Sequence, residues 1–110
     1  MEQPLTKLFD QQVGNLDQAH VNLLYWSAMA EDRKMRYNIT NAFDDLKYLQ
    51  HTRTKQAVYA YIEALRVCCL LEIREEGNKK NLYITEYGAR ALETLVNQGY
   101  TLQPSHFLGG

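Results

Sequence analysis

Cysteine is scarce in this chain of 110 residues, and its two cysteines, Cys68 and Cys69, are neighbours. Adjacent positions cannot staple distant parts of a fold without strain, so a disulfide framework is excluded and a reducing, cytoplasmic setting is expected. Proline is equally rare, with two residues, and 45% of the chain is hydrophobic, which argues for a packed globule rather than a disordered segment. No apolar run approaches the roughly 18 residues that a membrane span needs, and Met1 to Asp10 lacks the basic, then apolar layout of an export signal. Neither charge dominates. Twelve basic residues face thirteen acidic ones for a net charge of −1, so there is no global positive field and any surface for nucleic acid must be local. A glycine-rich phosphate loop, paired metal ligands and a nucleophile elbow are all missing, so neither an enzyme nor a metal or cofactor site is expected.

What is present reads as one domain over 1–99 with a helical arm at about 4–14, followed by an irregular tail at 100–110. Leu5, Leu8, Phe9 and Val13 fall at helical spacing, and Gly14 can end that helix. Asn15 offers an N-cap with Gln18 three residues on, and Leu16, His20, Leu23, Leu24 and Ser27 continue along one face of a helix over Leu16–Ala30. Trp26 is expected near the junction with the arm, or with Tyr25 in a dimer contact. After a charged connector (Glu31 to Lys34), Met35, Tyr37 and Ile39 alternate with polar residues, the period of a small edge strand in a three-stranded sheet. Thr40 or Asn41 can cap the next helix, in which Asp44 and Asp45 suit the positive N-terminal end.

The centre of the sequence carries the functional expectation. His51 and Thr52 break the apolar pattern, and Thr52 or Thr54 caps a helix reaching about Cys68. Val58, Ile62, Leu65 and Cys69 form its buried stripe, with Lys55, Gln56, Tyr59, Ala60 and Glu63 facing solvent. A strand (Leu70 to Arg74), a turn-rich loop (Glu75 to Asn81) and a return strand (Leu82 to Thr85) follow. Thr85 then caps a last helix with Ala89, Leu92, Leu95 and Val96 inward, ending at Gly99.

Four landmarks carry a family resemblance: Ile62-Glu63-Ala64-Leu65 leading to Leu70-Leu71, the turn Gly77 to Lys80, the run Leu82-Tyr83-Ile84-Thr85-Glu86-Tyr87-Gly88, and the helix Ala89 to Val96. On these, Thr54 to Leu95 resembles the winged helix-turn-helix of MarR-type and PadR-type transcriptional regulators. The resemblance implies a mainly α fold with a small β-wing, a cytoplasmic homodimer and binding to double-stranded DNA. The chain departs from the family pattern in two respects. Cys69 stands where glycine is usual, and Tyr59, Ala60 and Glu63 occupy outward positions that are often basic.

Under that reading the polar cluster of His51, Thr52, Arg53, Thr54, Lys55 and Gln56, with Tyr59, enters the major groove, because the N-terminal residues of such a helix face base edges. Asn78, Lys79 and Lys80 at the wing tip reach phosphates or the minor groove. The bland readings are a solvated helix start and lysines that discourage edge pairing. Cys68 and Cys69 are expected as buried packing residues rather than a thiol sensor. A different class of function stays open: a winged-helix module that binds a protein partner through its tyrosine-rich surface and does not bind DNA.

Overall fold

A computed structural model of the chain describes residues 16–109, so the expected arm at about 4–14 and the Asn15 cap lie outside the described residues. Helix α1 (Gln18–Asp32) begins at Asp17, whose carboxylate accepts the amides of Ala19 and His20 at 3.1 and 3.3 Å, while His20 Nδ1 accepts the amide of Asp17 at 3.2 Å. This reciprocal pair closes a capping box, with histidine in the place usually held by Glu or Gln. The helix then runs on to Asp32, two residues past the expected end.

The single apolar stripe expected on α1 is too narrow. Val21, Leu23, Leu24 and Trp26 are fully buried although they point in different directions, because α1 packs against α3 (Lys55–Val67), α4 (Glu86–Asn97) and strand β2 (Lys79–Ile84). A helix buried over most of its circumference is a core helix, and each large apolar side chain it hides is worth about 1.5–3 kcal/mol. Trp26 is therefore no dimer contact: its indole N–H donates to the Gln103 carbonyl at 2.8 Å, inside the fold.

Met35 to Ile39 does not form a third strand. Its contact with the hairpin is one bridge, Asn38 to Asn81, next to a Leu82 amide bond to the Tyr37 carbonyl at 2.8 Å. The alternating pattern is cut short because Asn38 already caps α2 (Ile39–Tyr48). Its side chain accepts the Asn41 amide at 2.8 Å, and Asn41 Oδ1 accepts the Asn38 amide at 3.1 Å. The cap is thus Asn38, not Thr40 or Asn41. The sheet has two antiparallel strands, β1 (Leu71–Glu76) and β2, joined at Gly77 and Asn78. Glu76 pairs with Lys79, so the seven-residue loop expected over Glu75 to Asn81 shrinks to two residues. Positive φ at Gly77 but not at Asn78 matches the glycine-first hairpin turn whose twist suits flanking strands. The result is a mainly α fold with a β-hairpin, compatible with a winged helix.

Glycine scarcity shows at the helix ends. After α1, α2, α3 and α4 the chain turns through the same two hydrogen bonds, and the residue that must adopt a left-handed conformation is Lys34, Gln50, Cys69 and Gly99 in turn. At the end of α3 the Cys69 amide reaches the Arg66 carbonyl and the Leu70 amide the Leu65 carbonyl, both at 2.9 Å. Cys69 has φ of 62° and is exposed, which corrects its place in the buried stripe. A side chain in this conformation costs roughly 1–2 kcal/mol. Cys69→Gly is therefore expected to raise stability by about 0.5–1 kcal/mol, after the greater freedom of glycine in the unfolded chain is set against the relief. Thermal unfolding of the variant, read as a midpoint several degrees higher, checks this.

Residues 100–109 contain neither helix nor strand, yet they are packed. Asp45 is buried, and its carboxylate accepts hydrogen bonds from the Tyr37 and Ser105 hydroxyls and from the Phe107 amide at 2.9 Å. No ion pair among the described residues includes Asp45, so these donors compensate its burial. Burial, and then the bond to Asp45, push the Tyr37 hydroxyl pKa up, which keeps it a donor. Asp45 thus clasps the last segment to α2 rather than serving the helix dipole. Ser105→Ala removes one of three donors and is expected to cost about 1–2 kcal/mol in urea unfolding.

Candidate nucleic-acid interface

Thr54 starts α3: its hydroxyl accepts the Ala57 amide at 3.2 Å. Thr52 shapes the preceding turn. It is buried, its hydroxyl accepts the Thr54 amide at 3.2 Å and donates to the Thr54 carbonyl at 3.1 Å, so it presents nothing to a ligand. His51 also turns inward, with Nε2 at 3.2 Å from Asn22 Nδ2 and 3.0 Å from Gln103 Oε1. The front of the expected polar cluster is therefore structural. Arg53, Lys55, Gln56 and Tyr59 are exposed.

Lys55 and Tyr59 from α3 meet Asn78, Lys79 and Lys80 from the hairpin tip across a shallow groove of about 270 Å³. Arg53 and Gln56 do not line it. The groove is completed by Glu75 and by Asn38, Ile39 and Thr40 at the start of α2, residues that sequence reasoning missed because Met35 to Ile39 read as a strand. The available signal was Asn38 followed three residues later by Asn41, a capping box without its usual glutamate. Two contacts bring these elements together: the Asn38 to Asn81 bridge ties the start of α2 to the hairpin, and the turn at Cys69 sends β1 out from the end of α3.

The electrostatics of this face are mixed but resolved residue by residue. Among the described residues, the Arg and Lys ion pairs are Arg66 with Glu63, Arg74 with Glu72 and Arg90 with Glu86, and none engages Arg53, Lys55, Lys79 or Lys80. Glu63, on the outer face of α3, is held by Arg66 one turn on, and the hydrogen bonds from that guanidinium lower its carboxyl pKa. Glu76 lies across from Lys79 but accepts the Tyr83 hydroxyl and Asn81 Nδ2, with the Tyr83 bond the larger cause of its lowered pKa. Arg74 lies over the Tyr83 ring, 4.2 Å from its centre. These contacts occupy the acids along the hairpin and leave Glu75, across from Lys80, as the acid inside the groove.

The face can thus offer three ammonium groups, an exposed phenol ring and side-chain amides along one shallow surface, the chemistry that suits a phosphate backbone and base edges. It holds no group of three His, Cys, Asp or Glu side chains arranged for a metal ion, and none occurs among the described residues. No described helix is long and apolar enough to cross a membrane. No protein-family model and no curated protein matches this sequence.

Proposed function

We propose that the chain is a winged helix-turn-helix protein of the MarR and PadR kind that binds double-stranded DNA as a homodimer and regulates transcription in the cytoplasm. Helix α3 is the recognition helix and the β1–β2 hairpin is the wing. The observation that carries this reading is the groove in which Lys55 and Tyr59 at the start of α3 meet Asn78, Lys79 and Lys80 at the hairpin tip, with all three lysines outside any ion pair among the described residues. The two parts then act differently. The wing lysines hold phosphates, while Lys55 faces base edges in the major groove. In a two-fold dimer the recognition helices occupy successive major grooves, about 34 Å apart.

Selection of bound duplexes from a random DNA pool with the purified chain tests the proposal. A preferred palindrome bound with a steep salt dependence is the expected result, because operator symmetry mirrors dimer symmetry. Retention of no duplex at low salt overturns it. A specific observation favours the second reading, a protein-interaction module: Glu75 lies within the groove, and Tyr59, Tyr48 and Tyr87 are 44%, 65% and 55% exposed. Tyrosine is enriched in protein interfaces. That reading takes over if duplex DNA is not bound.

A further inference from the structure

The hairpin leaves one of its edges open. Glu76 and Lys79 close the two-residue turn as a hydrogen-bonded pair, so bonded pairs alternate from there and the amides and carbonyls of Glu72, Arg74 and Glu76 point at β2. Two bonds outside the strands fit this alternation: the Thr85 amide reaches the Leu70 carbonyl at 3.1 Å, and the Leu82 amide, opposite Ile73, points out of the hairpin to the Tyr37 carbonyl at 2.8 Å. Leu71, Ile73 and Glu75 therefore turn their amides and carbonyls away from β2, and no backbone bond among the described residues meets them. Beyond them lies an open groove of about 410 Å³, lined by Leu71, Glu72, Ile73 and Arg74 of β1 and by Arg66 and Cys69 at the end of α3.

We propose that this edge is an interface between two copies of the chain, in which β1 pairs antiparallel with β1 of the second copy about a two-fold axis at Ile73. Charge decides for this occupant. Glu72 and Arg74, 55% and 56% exposed, lie on the same side of the strand and form an ion pair at 2.9 Å. With Ile73 opposite its own copy, Glu72 meets Arg74 of the second copy and Arg74 meets its Glu72, so each side chain gains a second opposite charge. In the same register the outward backbone groups of Ile73 bond to those of the other Ile73, and those of Leu71 to those of Glu75. A slip to a neighbouring register sets Glu72 against Glu72 or Arg74 against Arg74, and like charges directly opposite repel. Charges on a free edge ordinarily discourage pairing; here their alternation in sign makes the strand complementary to itself. One short strand pair is a small interface, so dissociation in the micromolar range is expected. The inference rests on the homodimer of the proposed function but not on its DNA contacts.

Sedimentation of the full chain without DNA, over about 1–100 µM, tests it. The parent is expected to associate to a dimer within that range. Arg74→Glu, and separately Glu72→Arg, set like charges across the two-fold axis and are expected to weaken self-association about tenfold or more. An equimolar mixture of the two variants restores opposite charges at both positions and is expected to associate as the parent does. A hairpin merely damaged by taking Arg74 off the Tyr83 ring would not be rescued by mixing. Undiminished self-association of both single variants, or a mixture no tighter than either variant alone, overturns this interface and leaves the homodimer to another surface. A parent that stays monomeric at about 100 µM overturns it together with the homodimer, and leaves the edge to an extended segment of a different protein.

Discussion

Gly88→Ala is expected to cost about 3 kcal/mol or more, the upper end of what overpacking does to a small domain. A methyl group at this position would lie 2.1 Å from the Leu70 carbonyl oxygen and 2.7 Å from Ile84 Cγ1. The first of these is backbone and cannot swing aside. It sits in the chain leaving the turn at Cys69, so relief requires moving either α4 or the start of the hairpin. The glycine is needed for space, since its φ is not positive. Thr85 explains the closeness: its hydroxyl donates to the Cys69 carbonyl at 2.6 Å and accepts the Gly88 amide at 3.0 Å, riveting the first turn of α4 to the end of α3. Thr85 and Gly88, three residues apart in the sequence, are thus two halves of one joint. Urea unfolding reads the loss. A change below about 0.5 kcal/mol, the scale of an indifferent surface substitution, would mean that this approach is not the one present in solution.

The largest effect on binding is expected from Lys55→Ala, Lys79→Ala and Lys80→Ala combined. Each phosphate contact contributes a slope of about −0.9 in log K against log salt, or nearly tenfold in affinity at about 0.1 M salt relative to 1 M. Lys79 and Lys80 make two such contacts per protomer and four per dimer, so their removal flattens the slope by about 3.6 units and reduces affinity by roughly 10³–10⁴-fold, and the loss of Lys55 from the base edges adds to this. Separated, the lysines should differ. Lys80→Ala weakens every sequence alike, whereas Lys55→Ala costs about 1–3 kcal/mol and relaxes the preference at one base pair of each half-site. Arg53→Ala is expected to leave base preference intact, because Arg53 does not line the groove. All four side chains are exposed and outside ion pairs among the described residues, so unfolding midpoints should be unchanged. Fluorescence anisotropy across a salt series measures these quantities. Parent-like binding by the triple variant would sink the proposed DNA face and leave the interaction module.

Local chemistry was legible in the sequence where neighbours in the chain decide the structure. Thr85 caps its helix as read, and of the two caps open for α3, Thr52 and Thr54, it is Thr54 that serves, because an N-cap hydroxyl meets an amide three residues on whatever packs above it. Val58, Ile62 and Leu65 face inward and Lys55, Gln56, Tyr59, Ala60 and Glu63 outward, as the 3.6-residue period requires. The hairpin and its place after α3 follow from alternation around Gly77 and Asn78. Tertiary structure alone decided the rest. Alternation from Met35 to Ile39 yielded a single bridge, since β-pairing needs a partner edge and Asn38 was committed to capping α2. His51 and Thr52, polar and beside Arg53, read as part of a binding surface, yet Asn22 and Gln103, far away in sequence, turn His51 inward. Asp45 looked like a helix-dipole acid until Tyr37, Ser105 and Phe107 closed around it. For His51 and Asp45 the deciding partner is remote along the chain. Periodicity and capping record only what a residue does within about one turn or one strand pair, while the fate of a polar group depends on which donors the completed fold brings to it.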